Sequence, residues 1–448
     1  MISGRLPKVE RNILLQGGLI MIEIKNTKSS FEREPLAASF GFKGSYVKEL
    51  WQSVSALEDT NGLQGAGLGV QSILWSDANV FSEWGDMAGN NIMFLMTQYA
   101  LKQAKKIPFD TPMDLLEQLL PLTMEYGRTV TGNSKLSTTF ALNALVSLDN
   151  AAWVLYCRNK GISSFDDMIP KDIRPSLSYK HEQLASIPLI SYGINTENIK
   201  DLTNQGYFFL KIKLGNDPEK DNDPEKMLEW DKKRLASIHE IVKDYRIAFT
   251  ENGYIPYYLD ANGRYPDKDH LMRFLDYADK ISALERIMLL EEPFPESYTN
   301  FVDDIPVRLA ADESAHSDKE ALERIHMGYG AIALKPIAKT MSMSLKISKI
   351  AYENKTPCFC ADLTVNPVLV DWNKNVAARL APLPGMKIGV LESNGRQNYL
   401  NWNLLKTYHP CFGEAWLDDH SGIFKTDRSF YDLSGGIFME SAHYLSLI

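Results

Sequence analysis

The segment FFLKIKLG carries two lysines, Lys211 and Lys213, two residues apart in an otherwise apolar run. Successive side chains of a strand point to opposite faces, so both ammonium groups share one face. Like charges side by side repel, and a buried charge without a partner is costly. Carboxylates close the apolar runs that follow: Asp260 with Asn262 in YYLDANG, Glu291 and Glu292 in IMLLEEPF, Asp312 and Glu313 in VRLAADES. Lys335 ends YGAIALKP, Asp362 ends TPCFCADLT, and Glu392 with Asn394 ends MKIGVLESN. Singly, each has an ordinary explanation as a turn cap, a solvated acid or a rim residue. Jointly, acids on three consecutive strand ends, flanked by lysines, converge on one small volume and call for a cation. Oxygen donors without His or Cys favour a hard ion, and Mg²⁺ suits because it keeps positions open for water and substrate.

A cation with a lysine on either side binds a small-molecule carboxylate, and the lysines then move the proton on the adjacent carbon. A lysine base must be neutral, which an unperturbed pKa of about 10.4 makes rare near pH 7. A neighbouring ammonium lowers it. Lys211 is read as that neighbour and Lys213 as the base.

These residues need a frame that brings strand ends together. Eight short apolar runs, beginning with LISYGI and ending with MKIGVLESN, alternate with candidate helices at 223–245, 266–283, 317–327, 341–354 and 366–380. That pattern predicts an α/β fold, a TIM-type (β/α) barrel of about eight strands, whose active site lies at the C-terminal strand ends. The link between the fourth and fifth strands is short and its helix doubtful. Residues 21–165 read as an α+β capping domain: VKELWQSVSAL and GAGLGVQSILW as antiparallel strands, then helical periodicity from 89 to 160. The barrel spans 186–396. Residues 397–448 show no ninth strand and are expected to pack back on the cap. GAGLG lies between sheet strands with no helix opening after it, so it is read as hairpin glycine rather than a dinucleotide fingerprint.

The formal charge of −9 over 448 residues argues against a nucleic-acid or anionic-membrane partner. Cys157, Cys358, Cys360 and Cys411 are few and irregular, which fits a reducing cytoplasm. Cys358 and Cys360 lack a second pair at zinc spacing and read as strand residues. The stretch NILLQGGLIMI is broken by glycines and reads as neither signal peptide nor span. The first twenty residues are expected to pack weakly or not at all.

LKIKLG, LDANG, LLEEPF, AADES and ALKP, in this order, resemble the enolase superfamily, and within it the mandelate racemase/muconate-lactonizing-enzyme group, in the branch with lysines on strands two and six. The resemblance implies that Asp260, Glu291 and Asp312 bind one Mg²⁺ and that Lys213 and Lys335 are the acid/base pair. Lys211 and Asn262 would support them, and Glu313, Asp362, Glu392 and Asn394 would support the site or bind substrate. Alternation lets one residue of each pair, Glu291/Glu292 and Asp312/Glu313, face the barrel, and motif position favours Glu291 and Asp312. The implied reaction is racemisation or epimerisation of a small carboxylic acid, an amino-acid derivative or an acid sugar, by a homo-oligomer. Syn-elimination and cycloisomerisation are the alternatives within the superfamily. A metal-free Schiff-base lyase using Lys213 or Lys335 is the alternative outside it. Dipeptide epimerases of this group carry paired aspartates on strand eight, where this chain has Glu392 and Asn394. AASFGFKGSY and ILWSDANVFSEWGD, around Trp75, either close over the ligand or only pack the cap.

Overall fold

A computed structural model describes residues 21–42 and 45–448. The first twenty residues, and the centre of AASFGFKGSY, lie outside the described residues. Three antiparallel strands open the fold: β1 (Ile24–Phe42), β2 (Ser45–Asp59) and β3 (Gln64–Gln71), in that order across the sheet. Gly62, at φ 81°, supplies the left-handed turn between β2 and β3. Four helices follow: α1 (Ile73–Ser76), α2 (Ala78–Ala104), α3 (Pro112–Thr131) and α4 (Thr138–Lys160). Asp77 caps α2, and Thr111 with Asp114 forms a capping box on α3. The strand was expected to run on through Trp75; it ends at Gln71, and the chain turns into α1, which carries Trp75.

The GAGLG glycines are not hairpin residues. Gly65, Gly67 and Gly69 share one face of β3, and α4 lies directly against it. A Cβ on Gly67 would stand 2.2 Å from Ala151 N and 2.4 Å from Ser147 O. Only glycine lets helix backbone approach strand backbone this closely. α4 is long and apolar enough to cross a membrane, but it is almost wholly buried as the central helix of the cap.

After α5 (Phe165–Met168) the barrel begins at β4 (Gln183–Ile187), earlier than LISYGI suggests, and continues after Pro188 as β5 (Leu189–Ile190). β4 pairs with the last barrel strand and β5 with the next one, so this one segment closes the ring by changing partner at Pro188. The remaining strands are β6 (Leu210–Lys213), β7 (Tyr257–Asp260), β8 (Ile287–Glu291), β9 (Leu309–Ala311), β10 (Ala331–Leu334), β11 (Cys358–Cys360) and β12 (Gly389–Glu392), each parallel to the one before. Helices α6 (Thr196–Asn204), α7 (Pro224–Val242), α8 (Lys268–Lys280), α9 (Asp318–His326), α10 (Met341–Glu353) and α11 (Pro367–Ala377) fill the connections, and none lies between β8 and β9.

The tail does contain strands. β13 (Asp419–His420) and β14 (Ile423–Lys425) form a hairpin that joins β4 antiparallel on its outer edge. At two and three residues they are too short to leave a periodic signal. Elsewhere the tail reaches the cap: Leu400 N donates to Pro35 O, and His443 faces Glu32 at 2.8 Å.

Candidate active site

Parallel register assembles the polar residues. Lys213 pairs with Asp260, and Asp260 with Glu291, so these three stand side by side across β6, β7 and β8. Asp312 and Lys335 follow the last residues of β9 and β10. Both lysines of the opening segment point to this face, and they do not confront each other unscreened. Asp260 Oδ2 lies 3.1 Å from Lys211 Nζ and 2.6 Å from Lys213 Nζ. Lys211 also reaches Glu291 Oε2 at 2.8 Å and Glu392 Oε2 at 3.1 Å. The charge that the sequence reading uses to tune Lys213 is thus matched here by three carboxylates. Lys213 Nζ also donates to Asn262 Oδ1 at 2.5 Å. Across the mouth, Lys335 Nζ donates to Asp312 Oδ2.

Burial would push Lys211 and Lys335 down, but adjacent carboxylates outweigh it and hold both above the ordinary lysine range. Asp260 and Asp312 are held below the usual carboxylate range, because their lysines outweigh the cost of burial. Glu291 goes the other way: burial, then the charge of Asp260, raises it well above that range. Glu291 Oε1 is buried and accepts no hydrogen bond.

Of the two adjacent acid pairs, the first divides and the second does not. Glu292, turned by a φ of 40°, accepts from Asp312 N, Ser314 N and Ser314 Oγ, and so braces the loop after β9. Burial, then the charge of Glu313, pushes it up to about 8. Glu313 lies beyond the end of β9, where strict alternation has lapsed. It joins Glu291 and Asp312 with one oxygen each, all within 4.8 Å, and accepts from Asn262 Nδ2. Asp362 and Glu392 adjoin on the other flank. Asn394 N donates to Asp362 Oδ2 at 2.6 Å, and Asn394 Nδ2 to Glu392 Oε1 at 2.8 Å. Burial, then the charge of Glu392, pushes Asp362 up to about 7.

Two residues escaped the sequence reading. Tyr258, fully buried, donates to Glu291 Oε2 and offers its ring to Lys211 Nζ, 4.6 Å from the centroid. It stands two residues before Asp260, hence on the same face, and alternation could have found it. Lys339, also fully buried, lies 3.0 Å from Asp312 Oδ1 and donates to Asp312 O at 2.5 Å. Its only signal was a lysine within a small, apolar stretch.

The cap supplies the lid. Leu36, Val47, Leu50 and Trp75 line the same cavity as Lys211, Lys213, Asp260, Asn262, Glu313 and Lys335. Leu36 and Val47 flank AASFGFKGSY, and the Trp75 ring lies under Lys335 Nζ at 4.5 Å.

The fold, a closed parallel barrel under an antiparallel-sheet cap, is similar to that of mandelate racemase/muconate lactonizing enzymes and other enolase-superfamily proteins of known structure. The mandelate racemase/muconate lactonizing protein of Herpetosiphon aurantiacus is 16% identical, with 90% of this chain and 95% of that one covered and a TM-score of 0.62. The dipeptide epimerase of Enterococcus faecalis V583, solved with Mg and L-Leu-L-Tyr, is 16% identical over 90% of this chain and 97% of its own, with a TM-score of 0.61. The L-Ala-D/L-Glu epimerase of Bacillus subtilis is 16% identical over 84% and 90%, with a TM-score of 0.58. At these identities the likeness is one of fold. No protein-family model matches the chain, and no curated protein does.

Proposed function

We propose that this chain is an enolase-superfamily isomerase that abstracts the proton α to a substrate carboxylate and returns it to the opposite face. The observation that carries this reading is the placement of Lys213 and Lys335. They sit on the second and sixth strands of an eight-strand ring, across one cavity from each other, with the acid cluster between them.

The residues fit a divalent cation. Asp260, Glu291, Asp312, Glu313, Asp362 and Glu392 outnumber Lys211, Lys213, Lys335 and Lys339, burial and the charge of Asp260 hold Glu291 above the usual carboxylate range, and Glu291 Oε1 is an oxygen without a donor, so a cation would favour the ionised cluster. Asp260, Glu291 and Asp312 would hold Mg²⁺, with Glu313 within reach. When bound, Mg²⁺ supplies Lewis-acid stabilisation of the substrate carboxylate and takes up acid charge that otherwise holds Lys211 and Lys335 above the ordinary lysine range. Asn262 aims Lys213 at one face of the α-carbon. Lys335, steadied by Trp75, serves the other face. Lys211 neutralises Asp260, Glu291 and Glu392, and the apolar cap excludes water, which strengthens every charge interaction inside.

The test is α-proton exchange in D₂O. Lys335→Ala should stop interconversion while Lys213 still exchanges one stereoisomer, and Lys213→Ala should show the reverse. Exchange lost in only one variant favours elimination or cycloisomerisation, with one lysine as sole base. Activity that survives EDTA, together with trapping by borohydride, transfers the case to a Schiff-base lyase.

A further inference from the structure

Helix α4 lies behind the catalytic mouth rather than in it: among the described residues, none from this helix lines the cavity. Two groups of polar side chains on it nevertheless reach the elements that carry Trp75 and Lys335. Asn143 Oδ1 accepts from Ser72 N at 2.9 Å and from Ser76 Oγ at 3.2 Å, and Thr139 Oγ1 donates to Ser76 O at 2.7 Å. Ser72 and Ser76 bracket Trp75, so α4 grips α1 on both sides of it. Further along, Asp149 is 2% exposed and accepts from Ser342 N at 3.0 Å and from Ser342 Oγ at 2.5 Å. Trp153 Nε1, one turn on, donates to the same hydroxyl at 3.0 Å.

Ser342 is the second residue of α10, and the N–H groups of a helix's first turn have no partner within the helix. Thr340 takes up one of them, Met343 N, through its own side chain. Asp149 takes up another from across the boundary between cap and barrel. The chain that joins Lys335 to Ser342 is tight. Ala338 N and Lys339 N both donate to Lys335 O, at 2.9 and 2.7 Å, and Thr340 holds a φ of 74°, an outlying value for a β-branched residue. Such a conformation persists only where its surroundings over-determine it. What fixes Ser342 therefore fixes the backbone from which Lys335 extends. The Trp75 ring and Lys335 Nζ meet at 4.5 Å, with the backbones of both held by one helix.

We propose that Asp149 is a positioning residue for Lys335: by fastening the start of α10 to α4, it sets the place of the ammonium against Trp75 and its aim at one face of the substrate. Lys213 extends from β6, between β5 and β7, and does not depend on this contact. The inference rests on the proposed function and adds to it the residue that aims one of the two lysines.

The experiment uses the full chain labelled with ε-¹³C-lysine, the Lys335 and Lys213 signals being assigned by their loss in Lys335→Met and Lys213→Met. The ring current of Trp75 shifts the Lys335 signal upfield. Asp149→Ala should move that signal downfield and leave Lys213 in place. Asp149→Asn, whose amide still meets Ser342 N and Oγ, should return it. With Mg²⁺ bound, α-proton exchange in D₂O is then followed on both enantiomers of N-acetylphenylalanine. Asp149→Ala should slow the enantiomer that Lys335→Ala fails to exchange by about ten- to hundredfold, the scale of a small misplacement of a catalytic group, and leave the other within about twofold. A contact that only stabilises α10 would leave the Lys335 signal in place or slow both enantiomers alike, and either result overturns the inference. If Asp149→Ala does not fold, Ser342→Ala, which deletes one of the two bonds, takes its place with the same selective shift expected, and an unmoved Lys335 signal there is equally fatal. No exchange of either enantiomer by the parent protein with Mg²⁺ bound counts against the proposed function, and the resonance alone then decides the placement of Lys335.

Discussion

Tyr258→Phe should weaken Mg²⁺ binding while sparing the fold. The tyrosine donates to Glu291 Oε2, to which Lys211 also points at 2.8 Å, and this leaves Oε1 as the oxygen presented to a cation. Burial and the charge of Asp260 already disfavour the Glu291 carboxylate, so each donor that supports the charged form counts. Phe keeps the ring under Lys211, 4.6 Å from its Nζ, and the edge contact with Phe359 at 5.4 Å, so packing is conserved. A hydrogen bond to a charged acceptor contributes about 1.5 to 3 kcal/mol, which places the loss of Mg²⁺ affinity at roughly 10- to 150-fold. The upper end is a ceiling, because Lys211 still holds Oε2. Calorimetric titration gives the Kd directly. Thermal unfolding gives it by linkage, since a cation at a hundred times its Kd stabilises the folded state by about 2.7 kcal/mol. The reasoning is refuted if the variant binds Mg²⁺ within threefold of the parent while the metal-free proteins unfold alike.

Two further outcomes follow from buried groups. Lys339→Met removes the ammonium from Asp312 Oδ1 and leaves the Ala315 carbonyl without its donor, while Asp312 O keeps only Ala315 N, so metal-free stability in urea should fall by roughly 3 to 5 kcal/mol. Mg²⁺ should restore part of it, and an unchanged midpoint would remove Lys339 from the support of Asp312. Asp149 lies on α4 and accepts from Ser342 N and Oγ, and burial pushes it up to about 7. Its folded pKa exceeds the unfolded value near 3.9, so its contribution is full below about pH 4 and is lost as pH rises to about 7, by at most about 4 kcal/mol. Asp149→Asn should flatten that slope in unfolding free energies measured from pH 5 to 8; an identical slope in both proteins refutes the assignment.

Strand ends were legible because a buried parallel strand is an apolar run, against which a lysine or carboxylate stands out. Lys211, Lys213, Asp260, Glu291 and Asp312 all announce themselves in this way. Glu313 was set aside by alternation, a rule that holds only while the strand lasts, and β9 ends at Ala311. The glycines of GAGLG had a legible spacing but not a legible partner, since the backbone they admit lies some eighty residues on, at Ser147 and Ala151. Tyr258 followed the same alternation as the acids and was passed over because an aromatic in a strand reads as core. β13 and β14 exist through pairing with β4 and not through any pattern of their own.

The interlock between the two ends of the chain bears on how the protein is made. Leu36 bridges to Tyr399, and the Tyr399 hydroxyl donates to Thr364 O while accepting from Gln52 Nε2. Leu36 and Thr364 both line the cavity. A ribosome adding about 5 to 20 residues per second needs roughly 20 to 70 s to travel from Gln52 to Tyr399. Throughout that interval the first sheet emerges without the segment that fastens it. The barrel cannot close until β12 is available to β4, so lid and catalytic mouth reach their final relationship together, late in translation. Chains stalled before residue 399 would leave Gln52 and the Leu36 edge of the first sheet without the Tyr399 that fastens them.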